Sequence, residues 1–181
     1  FGEEPIQAYL KVQKVDKDTN SKVKVAGAKY KIWDVQNEKW VSQMVSPSGY
    51  FIDEFETNED GYFITPEKLL SGDYVIYETQ APEGYYLNDE YRIPENSNDL
   101  GDATKSGVAV RIDSIAMGLI NGDQLIYDPT AELVYEQQIK NDPLKVKLEI
   151  NKTGEVLSEV ISTSSKYGEK YTPKYTIQGL E

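Results

Sequence analysis

One carboxylate limits what this chain can fold into more than any other residue does. In the run Tyr74-Val75-Ile76-Tyr77-Glu78 the side chains alternate, with Tyr74, Ile76 and Glu78 on one parity and Val75 and Tyr77 on the other. Alternation of this kind marks a half-buried strand. Glu78 therefore shares a face with core residues. A buried, unpaired carboxylate is expensive, so it needs a partner or a raised pKa. Whatever it faces has to come from elsewhere in the chain.

Composition narrows the choices. The 181 residues suffice for one large or two small domains, and 39% of them are hydrophobic. Val, Ile, Thr and Tyr are common and long helical patterns are scarce, which predicts an all-β chain. The formal charge of −12 argues against nucleic acid and anionic membrane surfaces, both of which need clustered Lys and Arg. No apolar run is long enough to cross a bilayer. With no signal peptide at Phe1, the reading is a cytosolic protein or a processed or excised piece. Cysteine and histidine are both absent, which removes disulfides, a thiolate nucleophile, the commonest general base and the commonest zinc ligand. The sequence calls for no cofactor or metal.

Taken in order, Leu10, Val12 and Lys14 alternate as a strand that ends at the polar cluster Asp16 to Ser21. Parity turns Lys14 inward, and taken alone it reads as a lysine snorkelling to the rim. Asp16, Asp18 and Asn20 resemble the start of a calcium loop. Ser21 stands where that loop needs Gly and Gly27 where it needs Glu, so a solvated turn is the expectation. Strands are expected at Tyr30–Asp34, at Lys39–Val45 across a turn near Asn37, and at Phe51–Phe55. Asn58-Glu59-Asp60-Gly61 predicts a hairpin turn, and Pro66–Leu70 one helical turn. Residues 94–107 read as a long exposed loop. Strands resume at Val108, Val110 and Ile112, then around the hairpin signal Asn121-Gly122-Asp123, and finally over Glu132–Asn141. In this last strand Leu133, Tyr135, Gln137, Ile139 and Asn141 share a parity. Beyond Pro143, alternation resumes at Leu144, Val146, Leu148 and Ile150 and closes on Lys152. This repeats the opening pattern and reads as an internal repeat cut short at Glu181.

Three polar residues are thus out of place: Lys14, Glu78 and Asn141. First and last strands can be neighbours in a sandwich, which would set a lysine amine beside an asparagine amide with a carboxylic acid between them. Burial disfavours both charges, leaving a neutral amine and a protonated Glu78 able to donate to the Asn141 carbonyl. The amine attacks, ammonia leaves, and an amide joins the side chains. Fixed proximity supplies most of the acceleration.

These residues resemble the CnaB-type (SpaA-like, prealbumin-like) repeat of Gram-positive surface adhesins and pilins. The match rests on Leu10-x-Val12-x-Lys14-x-Asp16, Gly27-Ala28-x-Tyr30, the turn from Asn58 to Gly61, Tyr77-Glu78-Thr79-x-Ala81-Pro82-x-Gly84-Tyr85 and Asn141-x-Pro143. The resemblance implies a reverse Ig-like β-sandwich over residues 1–143, enlarged at 88–130. Residues 144–181 would form the first strands of a second β domain with Lys152 as its lysine. It implies an isopeptide bond from Lys14 to Asn141 assisted by Glu78, formed once and without multiple-turnover enzyme activity. It further implies an extracellular, cell-wall-anchored parent whose partners are neighbouring repeats. Two functions fit the resemblance: a stalk module, and a binding module that contacts a host protein or glycan through the 88–130 insertion. Apart from it, the abundant acidic residues raise a carboxylate-based glycosidase, ranked last because no paired-carboxylate motif stands out. Tyr171-Thr172-Pro173-Lys174 weakly resembles a pilin polymerisation-lysine motif, though an ordinary strand with a surface lysine is the preferred reading.

Overall fold

Period-two patterning here becomes two packed sheets. The computed structural model describes residues 6–114, 116–118, 120–121, 124–125 and 132–145. The strands are β1 (Gln7–Asp16), β2 (Lys29–Asp34), β3 (Lys39–Trp40), β4 (Gln43–Met44), β5 (Phe51–Ile52), β6 (Phe55–Glu56), β7 (Tyr62–Ile64), β8 (Leu69–Leu70) and β9 (Gly72–Gln80). After two short 3-10 turns at Asp89–Tyr91 and Ser97–Asp99 come β10 (Val108–Ile112), β11 (Ile120–Asn121), β12 (Gln124–Leu125) and β13 (Val134–Asn141).

One sheet has the order β13-β1-β7, with β8 also pairing β1. The other has the order β10-β9-β2-β3, with β6 also pairing β2. β1 and β13, the first and last strands among the described residues, run parallel, so their connection must cross the whole domain. Between the sheets lies a core of Ala8, Leu10, Val12, Phe63, Leu69 and Ile139 from one side. Tyr30, Ile32, Tyr74, Ile76, Val110 and Ile112 face them from the other. Each aliphatic side chain fully buried there contributes about 1.5–3 kcal/mol.

β9 is buried on both faces. Tyr74, Ile76 and Glu78 point into the core, while Val75 and Tyr77 are buried on the outer face. The segment before β10 covers that outer face. Gly101 N–H donates to the Tyr77 hydroxyl at 2.8 Å, and Gly107 lies so close that a Cβ there would come within 2.8 Å of the Tyr77 ring. Of the exposed loop expected at 94–107, residues 95–98 are exposed, whereas 101–107 dock on the sheet, with aromatic packing from Trp40 onto Tyr77 beside them.

Several expectations change. Lys39–Val45 is not one strand: β3 pairs β2, whereas β4 pairs β5 as a separate hairpin. Phe51–Phe55 likewise splits, because β6 turns back to pair β2. The 58–61 turn forms, with Gly61 at φ +79° and the Asn58 side chain accepting from Asp60 N–H at 3.0 Å. It does not close a hairpin ladder, since β6 pairs β2 and β7 pairs β1. The turn carries the chain from one sheet to the other. Pro66–Leu70 makes no helical turn, because Leu69 and Leu70 pair with Ala8 and Gln7 of β1. β11 and β12 pair as expected. Gly122 and Asp123 between them, and Tyr127, lie outside the described residues. So do Val146, Leu148, Ile150, Lys152 and Tyr171–Lys174.

Candidate functional site

Lys14 sits near the end of β1, on the inward parity of Leu10 and Val12, and is completely buried. Its backbone is held from both sides: Lys14 N–H donates to Gly61 O at 2.8 Å, and Val23 N–H donates to Lys14 O at 3.0 Å. The lysine does not snorkel. β13 pairs with β1 in a register that sets Lys14 opposite Ile139 and Asp16 opposite Asn141. Asn141 shares the face of Ile139, so it is the diagonal neighbour of Lys14. Glu78 comes from the opposing sheet, on β9, where it pairs with Tyr30 of β2.

The three polar residues predicted from parity thus meet in the core. Glu78 Oε2 lies 3.3 Å from Lys14 Nζ, and Asn141 Nδ2 donates to the same oxygen at 2.9 Å. Glu78 Oε1 accepts from Asn141 Nδ2 at 3.1 Å. Burial lowers the Lys14 pKa from 10.5 to about 8, although the nearby Glu78 charge opposes the shift. Burial also raises the Glu78 carboxyl above its ordinary range, against the pull of Lys14 and of the Asn141 hydrogen bond. Both shifts move the pair toward a neutral amine and a neutral acid.

One detail differs from expectation. Glu78 was expected to donate to the Asn141 carbonyl, but Asn141 turns its amide nitrogen toward Glu78. Tyr86 explains the orientation: its carbonyl, which can only accept, takes a hydrogen bond from Asn141 Nδ2 at 2.8 Å. Asn141 Oδ1 is buried and has no hydrogen-bond partner.

Sequence reasoning missed the strap that closes this site. Residues 84–91 cross the ends of β1 and β13. Tyr85 hydroxyl donates to Asp16 Oδ2 at 2.9 Å, Tyr86 N–H to Asp142 O at 2.9 Å, Asn88 Nδ2 to Asp142 Oδ2 at 2.7 Å, and Tyr91 hydroxyl to Lys140 O at 2.7 Å. The Tyr91 ring centroid lies 5.9 Å from Lys14 Nζ, and that of Tyr30 lies 5.4 Å away. The Tyr30 hydroxyl is buried without a partner. Burial, then the charge of Glu78, holds its pKa well above the ordinary value. The inward parity of Tyr30 was a usable signal, whereas Tyr91 stands in a polar, aperiodic stretch that gave none. At the other suspected site, Asp16 Oδ1 accepts from Asp18 N–H and Thr19 N–H, which makes the Asp16 cluster a capped turn.

A family model described as SpaA, prealbumin-like fold domain, matches residues 8–105, more than half of the chain. The chain belongs to the SpaA prealbumin-like family. No match is found among curated proteins. Solved structures resemble the SpaA-type domain at low identity. GBS52, the minor pilin of Streptococcus agalactiae, is 16% identical with a TM-score of 0.50, over 81% of this chain and 49% of its own. The major pilin SpaD of Corynebacterium diphtheriae is 18% identical with a TM-score of 0.48, over 78% of this chain and 32% of its own. The Bacillus anthracis TIE protein is 18% identical with a TM-score of 0.42, over 77% of this chain and 18% of its own. The SpaA-type chain therefore spans less than half the length of each of these proteins, and the likeness concerns the fold. Asn141-x-Pro143 lies beyond the span of the family match, yet folding brings Asn141 against Lys14 and Glu78 from within it.

Proposed function

We propose that this SpaA-type domain is a structural stalk module of a Gram-positive surface or pilus protein, tied internally by an isopeptide bond between Lys14 and Asn141. One observation carries the reading: a single oxygen, Glu78 Oε2, contacts both Lys14 Nζ at 3.3 Å and Asn141 Nδ2 at 2.9 Å inside the core. Glu78 first takes a proton from the Lys14 ammonium. The amine attacks Cγ of Asn141 and a C–N bond forms. Glu78 passes its proton to Nδ2 and takes one from the attacking nitrogen. The bond from Cγ to Nδ2 breaks, ammonia leaves, and Glu78 ends protonated. The reaction runs once per chain, so the domain is not an enzyme in the turnover sense.

The domain boundary belongs to the same proposal: residues 1–143 as one unit, with 144–181 opening a second. Pro143 bridges to Tyr85, Leu144 N–H donates to Gly84 O at 2.8 Å, and Lys145 pairs with Asp18 at 2.9 Å, so the chain leaves the sandwich at a tied point. The natural partners would be neighbouring repeats of an extracellular, wall-anchored protein. The second reading, a host-binding surface within 88–130, receives less support, because residues 101–107 of that region spend their contacts covering β9. Intact mass tests the bond. The folded chain is expected to weigh one ammonia less than its sequence, and Lys14→Ala or Glu78→Ala to restore full mass. A wild-type chain at full sequence mass would sink the proposal.

A further inference from the structure

Two buried atoms here have no hydrogen-bond partner: Asn141 Oδ1 and, on a residue outside the three that the bond requires, the Tyr30 hydroxyl. One is an acceptor and the other a donor. Buried polar groups without partners are rare and call for a reason. Tyr30 pairs with Glu78 across β2 and β9, so the two side chains leave their sheet side by side and face Lys14 and Asn141 on the other sheet. The Tyr30 ring lies within cation–π distance of Lys14 Nζ, at 5.4 Å. Glu78 is already engaged with Lys14 and with Asn141 Nδ2, and Tyr86 holds that nitrogen in place. Glu78 therefore serves the attacking and leaving nitrogens, and the Asn141 carbonyl oxygen needs a different donor.

We propose that Tyr30 is a further residue of the cross-linking reaction, its hydroxyl supplying the hydrogen bond to Asn141 Oδ1 as that oxygen gains negative charge. The proposal rests on the Lys14–Asn141 bond being formed. When Lys14 Nζ attacks Cγ, the C=O electron pair moves onto Oδ1, and a phenol held protonated by burial is suited to stabilise it. The pair returns to the carbonyl as ammonia departs, so Tyr30 donates no proton outright and is unchanged at the end. Hydrogen bonds of this kind are commonly long before reaction and shorten as charge develops.

The test follows ammonia loss over time by intact mass, in chains made by cell-free synthesis. Tyr30→Phe removes only the hydroxyl. It is expected to slow cross-linking by about 10²-fold, the usual scale for losing one such donor. Its stability is read in a Lys14→Ala background, where no bond can form. Replacing an unpartnered buried hydroxyl with hydrogen is near neutral or stabilising, so the melting temperature there should not fall. A Tyr30→Phe chain that cross-links at the wild-type rate overturns the proposal. If the phenylalanine variant folds poorly, 3-fluorotyrosine at position 30 replaces it. That residue keeps the ring and strengthens the donor, so a rate at or above wild type is expected, and a rate lowered about 10²-fold overturns the proposal. A wild-type chain that never loses ammonia overturns the bond itself, and this inference with it.

Discussion

Lys14 takes its chemistry from its surroundings. It is completely buried, its only charged neighbour within ion-pair distance among the described residues is Glu78, and its pKa is lowered to about 8. That shift has a measurable consequence in a variant that keeps both groups and cannot cross-link, Asn141→Ala. Between about 8 and 10.5 the unfolded chain holds a proton on Lys14 that the folded chain does not. Stability should therefore rise with pH through that window, by up to about 3 kcal/mol from this group, as read by urea denaturation. Glu78 works in the opposite sense. Its raised pKa means that the folded state holds the extra proton, so its contribution is complete below the ordinary carboxylate range and falls as pH rises through the folded value. Glu78→Gln, which keeps the shape but cannot relay a proton, is expected to leave the mass at the full sequence value. At this scale the sequence was half legible. Parity turned Lys14, Glu78 and Asn141 inward, but the amide orientation depends on the Tyr86 carbonyl, which no side-chain pattern reveals.

Among elements, the 58–61 turn shows how turn chemistry and strand pairing separate. Asn, Asp and Gly encode the local bend, and the bend is made. Which strands it joins depends on long-range pairing, with β6 claimed by β2 and β7 by β1. The same competition converts the apolar pair Leu69-Leu70 from an expected helical turn into an edge partner of β1. Long alternating runs such as β1, β9 and β13 were readable because each turns one parity of side chains into the core. Two-residue strands carry too little pattern to be read. Gly61 deserves its own experiment. It adopts φ +79°, and a Cβ would overlap the Val23 carbonyl oxygen. Its own carbonyl accepts from Lys14 N–H. Gly61→Ala should cost more than about 2 kcal/mol in chemical denaturation, because backbone strain and overlap add. It should also slow ammonia loss by displacing Lys14.

On the scale of the whole molecule, the second sheet is a middle layer, with the core on one side and the 101–107 segment on the other. Gly107→Ala, at φ +89° and against Tyr77, should weaken that outer layer by about 1–3 kcal/mol in thermal or chemical melts. It should leave ammonia loss intact, because the reacting groups lie on the opposite face of β9. The proposed bond closes a loop of roughly 130 residues, and by analogy with disulfides Lys14→Ala should lower stability by about 5 kcal/mol.

The parallel pairing of β1 with β13 also gives the molecule a preferred direction. Tyr9 faces Val134 at one end of the ladder and Asp16 faces Asn141 at the other. Tension applied at the two ends of the domain enters at the start of β1 and leaves at the end of β13, so the strands slide lengthwise in shear. All eight residue pairs of the ladder bear load together instead of opening one after another. With Lys14 joined to Asn141, the load path would run along β1 to Lys14 and straight out, and the roughly 400 Å of chain between them would never be drawn out. The same ladder peeled sideways would open one bond at a time.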